Sequence, residues 1–121
     1  LVASAPTATS RKKPVLIEKF EQLVEVHIHD HWSVADYADA LAVSPTHLTR
    51  LCRQTSGQPA SAIILERLIR EARRNLVYTG LPVSTISYTL GFEDPAYFSR
   101  VFSAATGLSP REFRRQIEAH R

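Results

Sequence analysis

The chain has 121 residues, 44% of them hydrophobic and 22% charged, a balance that suits one compact domain or two very small ones sharing a connector. A formal net charge of +3 permits a polyanionic partner without demanding one, and a single cysteine, Cys52, excludes an internal disulfide framework. No apolar run is long enough to cross a bilayer, and LVASAPTATS at the start has neither the charged beginning nor the apolar core of a secretory signal.

Residues 1–13, rich in Ala, Ser, Thr and Pro and closing on Arg11, Lys12 and Lys13, read as a flexible linker. With no methionine anywhere, the chain reads as a piece of a longer protein begun between two domains, and its lone thiol suits the reducing cytoplasm. Pro14 is expected at the first helical position, with Ile17, Phe20, Leu23, Val24 and Ile28 forming a stripe to about His29. His27, His29 and His31 invite a zinc reading. However, no cysteine is close in sequence and alternate residues face different sides of a helix, so packing is preferred and no metal is assigned.

Ser33 is the expected N-cap of a short helix, Val34 to Leu41, with Val34, Tyr37, Ala38 and Leu41 inward. Ala42 and Val43 turn the chain, Ser44-Pro45 restarts it, and Gly57 ends the next helix. Within that helix Leu48, Leu51 and Cys52 are apolar, leaving Thr46, Thr49, Arg50 and Arg53 on a basic outer face. Cys52 reads as a buried small hydrophobe rather than a nucleophile. From Ala62 to Tyr78 the steps Leu65, Leu68, Ile69, Ala72 and Leu76 make one apolar face, opposed by Arg67, Arg70, Glu71 and Arg74. This amphipathic connector would span roughly 25 Å and is expected to set the spacing and rotation of the modules it joins.

The pattern then repeats. Val83, Ile86 and Leu90 stand 49 residues after Val34, Tyr37 and Leu41, and Gly91-Phe92 makes the turn. Pro95, Arg100 and Gly107 fall 50 residues after Pro45, Arg50 and Gly57, while Phe98, Val101 and Phe102 replace Leu48, Leu51 and Cys52. A last helix opens at Ser109-Pro110 and carries Phe113 and Ile117. The expected fold is all-α, about seven helices in two helix-turn-helix subdomains joined by a central linker helix. Its boundaries are 1–13 linker, 14–61 first subdomain, 62–78 connecting helix and 79–121 second subdomain.

Gly91-Phe92-Glu93-Asp94-Pro95-Ala96-Tyr97-Phe98-Ser99-Arg100-Val101-Phe102, followed by Gly107-Leu108-Ser109-Pro110 and Phe113-Arg114, resembles the C-terminal signature of the AraC/XylS transcription regulators. The likeness runs from Val15 to about Gln116, and its overall flavour is similar to regulators of aromatic-acid catabolism. It implies sequence-specific binding of double-stranded DNA by a bacterial regulator, an activator that also touches RNA polymerase, with an effector ligand held by a missing upstream domain. It further implies recognition helices over about 45–56 and 95–106, entering successive major-groove segments. Thr46, Thr49 and Arg50 would face bases in the first, and Pro95, Ala96, Ser99 and Arg100 in the second.

Elementary chemistry agrees, since arginine can make two hydrogen bonds to a guanine edge and threonine can touch a thymine methyl. Arg53 is a phosphate candidate, with Ser103 in its place in the repeat. His47 and Tyr97 either pack against the preceding helix or touch a phosphate, and Arg67 either pairs with Glu71 or reaches the DNA backbone. One departure from the family pattern is Ala42, which stands where the second unit has Gly91 in a turn that favours positive φ. The alternative reading is a helical protein-docking module without DNA. No Gly-rich phosphate loop, nucleophile–base pair or metal set is present, so no catalytic residue and no cofactor are assigned.

Overall fold

The computed structural model describes residues 13–120. The expected linker therefore lies, apart from Lys13, outside the described residues, as does Arg121. Among the described residues there are seven α-helices, one 3-10 turn and no strand. They are α1 (Val15–His27), the 3-10 turn (Ile28–Asp30), α2 (Val34–Ala40), α3 (Pro45–Ser56), α4 (Ala60–Tyr78), α5 (Val83–Thr89), α6 (Pro95–Thr106) and α7 (Pro110–Ala119).

Two compact units share these elements. The first takes residues through Val26 together with Trp32–Ile63; the second takes His27–His31 and Ile64–Arg121. In the first unit Ile17, Phe20 and Val24 of α1 meet Tyr37 and Ala38 of α2, Leu48 and Cys52 of α3, and Ala60, all buried. Tyr37 is clasped edge-on by Phe20 at 5.5 Å and by Trp32 at 5.0 Å between ring centroids. Burial, with a smaller effect from the Glu21 charge, raises the Cys52 thiol above its ordinary pKa and so disfavours the thiolate. In the second unit Leu68, Ile69, Ala72 and Leu76 of α4 pack with Ile86, Leu90, Phe92, Phe98 and Phe102. An aromatic series, Phe98 to Phe102 at 5.9 Å and Phe102 to Phe113 at 5.6 Å, carries that core to α7.

The helix ends follow local chemistry. Ser33 and Ser109 each accept from the backbone N–H three residues on, while Asp36 and Glu112 reach back to the serine N–H, closing two capping boxes. Those hydrogen bonds, the backbone one foremost, hold both carboxyls below their ordinary pKa. Ser44 and Asp94 cap α3 and α6 with proline at the first helical position, and Gly57 and Gly107 end them in left-handed conformation.

The short helix expected to run to Leu41 ends at Ala40, with Leu41 as its C-cap, and three other boundaries differ from expectation. Pro14 stands before α1, its carbonyl accepting from Ile17 and Glu18, so the helix begins at Val15. The first helix gives way at Ile28 to a 3-10 turn that ends on His31 at φ 57°. The connector begins at Ala60, because the Pro59 carbonyl accepts from Ala62 and Ile63. Leu65, on the apolar stripe of that connector, is 38% exposed at the turn where the chain passes from the first unit to the second.

The two turns between short and long helices are built alike. Ala42 N–H donates to Asp39 O and Val43 N–H to Ala38 O; Gly91 N–H donates to Tyr88 O and Phe92 N–H to Ser87 O, all at 3.0 Å. Both are Schellman closures with a left-handed residue at the corner, Ala42 at φ 58° and Gly91 at φ 90°. Gly91 has a second constraint, since a Cβ there would meet the His29 carbonyl oxygen at 2.5 Å.

Candidate nucleic-acid interface

α3 and α6 present the same outer face twice. Ser44 Oγ accepts from His47 N–H at 3.0 Å and Asp94 Oδ1 from Ala96 N–H at 2.9 Å, which fixes where each helix starts. Counting from the proline, Thr46, Thr49, Arg50 and Arg53 share one side of α3, opposite the buried Leu48 and Cys52. Ala96, Ser99, Arg100 and Ser103 share the matching side of α6, opposite Phe98 and Phe102. Exposure repeats as well: Thr46 and Ala96 are exposed, Thr49 and Ser99 half-buried, Arg50 and Arg100 exposed. Pro95 is half-buried at the start of α6, His47 is exposed, Arg53 is exposed, and its counterpart Ser103 is half-buried.

Two candidates are engaged within the protein. Arg67 has a side chain only 20% exposed, with Nη1 3.5 Å from Glu71 Oε1. Tyr97 is 51% exposed, and its ring lies under the Arg100 guanidinium at 5.8 Å. Tyr97 also leans on Phe92, at 5.9 Å between ring centroids.

A depression of about 290 Å³ adjoins the outer face of α6, lined by Pro82, Val83, Ser84, Pro95, Ala96, Ser99, Ser109, Pro110 and Arg111. It brings Ser84 and Arg111 beside Ala96 and Ser99, two residues that sequence reasoning passed over. Arg111 follows the Ser109-Pro110 cap directly, and the start of a helix is where an anion is favoured. A second cleft, about 500 Å³, lies beside Tyr97 and Arg100 and is bounded by His31, Gly91, Phe92, Glu93 and Asp94.

The histidines go to separate partners. His27 Nδ1 is 2.8 Å from Asp30 Oδ2, His29 Nε2 is 3.8 Å from Glu71 Oε2, and the His31 ring stands edge-on to Phe92 at 4.4 Å. Among the described residues no group of three or more His, Cys, Asp or Glu could hold a metal, and no helix is long and apolar enough to cross a membrane.

Arg114 closes the far end of the second unit. Its Nε donates to Leu76 O at 3.1 Å, Nη1 to Leu81 O at 2.6 Å and Nη2 to Thr79 O at 3.2 Å. A single guanidinium thereby takes up one carbonyl that α4 leaves open at its C-terminus, that of Leu76, and two of the loop that follows, those of Thr79 and Leu81.

Comparison with known proteins places this geometry in a group. Residues 37–116 match the family described as a helix-turn-helix domain. The arabinose operon regulatory protein of Salmonella typhimurium is 37% identical over 98 residues, covering 80% of this chain and 35% of that protein. The chain spans about a third of the length of the curated relatives it matches. The C-terminal domain of AraT, a response regulator from Geobacillus stearothermophilus, superposes with a TM-score of 0.82 at 26% identity, over 87% of this chain and 88% of that one. The DNA-binding domain of AdpA, solved in complex with a target DNA, superposes with a TM-score of 0.78 over 88% and 95% of the two chains. At 24% identity it speaks for the fold alone.

Proposed function

Because the chain belongs to the AraC-type helix-turn-helix family, we propose that it binds double-stranded DNA sequence-specifically and regulates transcription, with α3 and α6 as its recognition helices. The observation that carries this reading is the duplicated outer face. Arginine recurs at the same position of two helices that each open on a side-chain cap and a proline, exposed both times, where an isolated surface arginine would have no reason to repeat. An α-helix fits the major groove, and residues near its N-terminus reach base edges. Thr46, Thr49 and Arg50 would read one groove segment. Pro95, Ala96, Ser99 and Arg100 would read another, with the apolar Pro95 and Ala96 leaving more of the work to Arg100 and to DNA shape.

Arg53, His47, Arg67 and Ser103 are the proposed backbone contacts, joined by Arg111 at the start of α7. Such contacts set orientation on the duplex without carrying sequence information. The wider role is part of the same proposal: an activator acting in the cytoplasm and touching RNA polymerase, its effector bound by a part of the protein outside this chain. Catalysis forms no part of it.

The test is selection of duplexes from a random pool by this chain, followed by titration of the selected site. Arg50→Ala and Arg100→Ala should each lose roughly 1 to 3 kcal/mol on that site and relax preference at one local position. Losses equal to those on random DNA would contradict base reading. Absence of salt-dependent binding to duplex DNA would favour the protein-docking alternative.

A further inference from the structure

We propose that Tyr97 is a positioning residue for base reading, an aromatic shelf that holds Arg100 aimed outward, itself propped by Phe92 and His31. The inference rests on the DNA-reading proposal above and adds to it the reason one of the two matched arginines is pre-set.

The geometry forms a short chain of contacts. His31 stands edge-on to Phe92 at 4.4 Å, Phe92 meets Tyr97 at 5.9 Å, and the Arg100 guanidinium carbon lies 5.8 Å from the centre of the Tyr97 ring. The inner members are immobilised: Phe92 is 4% exposed and also packs on Phe98 at 5.1 Å, and His31 sits in a left-handed backbone closing the 3-10 turn. Tyr97 is half-exposed, and a cation within about 6 Å of a ring centre is attracted by it. Tyr97 and Arg100 are three residues apart on α6, so one turn of helix keeps them neighbours.

The first unit is made differently. At the positions matching Phe92 and Tyr97 stand Val43 and His47, so the repeat supplies no equivalent pair of six-membered rings beneath Arg50. Arginine carries large rotamer freedom, and a side chain already held in its bound orientation loses less of it on contact with a base. Arg100 should therefore discriminate more sharply than Arg50. This compensates for Pro95 and Ala96, which offer α6 no side-chain hydrogen bonds.

The experiment compares Tyr97→Phe, Tyr97→Leu and Arg100→Ala on three duplexes: the site selected from a random pool, that site with the base pair read by Arg100 replaced, and an unrelated sequence. The readout is the ratio of Kd values between the first two. Tyr97→Phe, which keeps the ring face, should match the parent ratio. Tyr97→Leu, which keeps apolar bulk against Phe92 but no ring face, should lower it about two- to fivefold with binding to the unrelated duplex unchanged. A parent-like ratio in Tyr97→Leu overturns the inference. So does a loss in Tyr97→Phe equal to that in Tyr97→Leu, which would assign the role to the hydroxyl.

A ratio left unchanged by Arg100→Ala at every position would sink the base-reading role of Arg100 itself, a different failure. Should Tyr97→Leu not fold, the side-chain proton shifts of Arg100 in the parent chain decide the matter. Upfield displacement by the Tyr97 ring supports the shelf, and unperturbed shifts refute it.

Discussion

The corner residues of the two turns make opposite predictions from one physical cause. Gly91→Ala puts a Cβ on a residue at φ 90°, costing about 1 to 2 kcal/mol for the left-handed backbone. That Cβ would also lie 2.5 Å from the His29 carbonyl oxygen, a backbone atom that can yield only by moving the 3-10 turn, and overpacking of this sort costs roughly 1 to 3 kcal/mol. Reduced freedom of the unfolded chain returns about 0.4 to 1 kcal/mol. The net expectation is a loss near 3 kcal/mol, or about 10 °C in Tm for a chain of this size.

Ala42→Gly should do the reverse. It relieves about 1 kcal/mol of left-handed strain at φ 58° and forfeits most of that to unfolded-state entropy, for a net gain near 0.5 kcal/mol. Urea unfolding followed by circular dichroism reports both variants. Fluorescence of Trp32, the single tryptophan, packed on Tyr37, reports the first unit separately. A Gly91→Ala protein within 0.5 kcal/mol of the parent would show that the His29 carbonyl is not held against the turn, and a destabilised Ala42→Gly would refute the strain argument.

Arg114→Ala should cost about 2 to 3 kcal/mol in thermal unfolding, since three carbonyls lose a charged donor, and Arg114→Lys should recover less than half because an ammonium cannot span the fork. The capping boxes set an acid limit. The carboxyls of Asp36 and Glu112 are depressed in the folded state, so their contribution is complete above the ordinary carboxylate range and fades as pH falls through the depressed values, below about pH 4. Tm against pH for Asp36→Asn with Glu112→Gln should converge on the parent curve at low pH; parallel curves throughout would show that the boxes do not titrate this way. Arg53→Ala should weaken all duplexes alike and reduce the salt slope by about one, and a loss confined to one base position would make Arg53 a base reader.

Short-range signals were legible in the residues themselves. Ser33, Ser44-Pro45, Asp94-Pro95, Ser109-Pro110 and Gly57 each act within a few residues, so the caps and helix starts they mark stand where expected. The outer faces of α3 and α6 follow from the same periodicity. α4 starts at Ala60, ahead of the expected Ala62, because Pro59 opens it through its carbonyl, a signal no side chain announces. What escaped reading is long-range. Arg114 meets carbonyls 33 to 38 residues earlier, and His29 meets Gly91 across 62 residues, from 91 − 29. Ser84 and Arg111 come beside Ala96 only through the packing of three helices. Leu65 has the right periodicity for a core position, yet periodicity cannot say at which turn a helix leaves one packed unit for the next.

His27–His31 belongs to the second unit although it is synthesised in the middle of the first. It leaves the ribosome 60 residues ahead of Gly91, from 91 − 31, a delay of about 3 to 12 s at 5 to 20 residues per second. The turn it braces does not yet exist during that interval, so the second unit can close only after the chain has been made past Gly91, around a strip of chain made long before. The same threading means that no single cut divides the gene into two whole modules. A fragment beginning at Ile64 has the glycine corner without the carbonyl that rests on it, and a fragment ending at Ile63 carries a strip whose seat is missing.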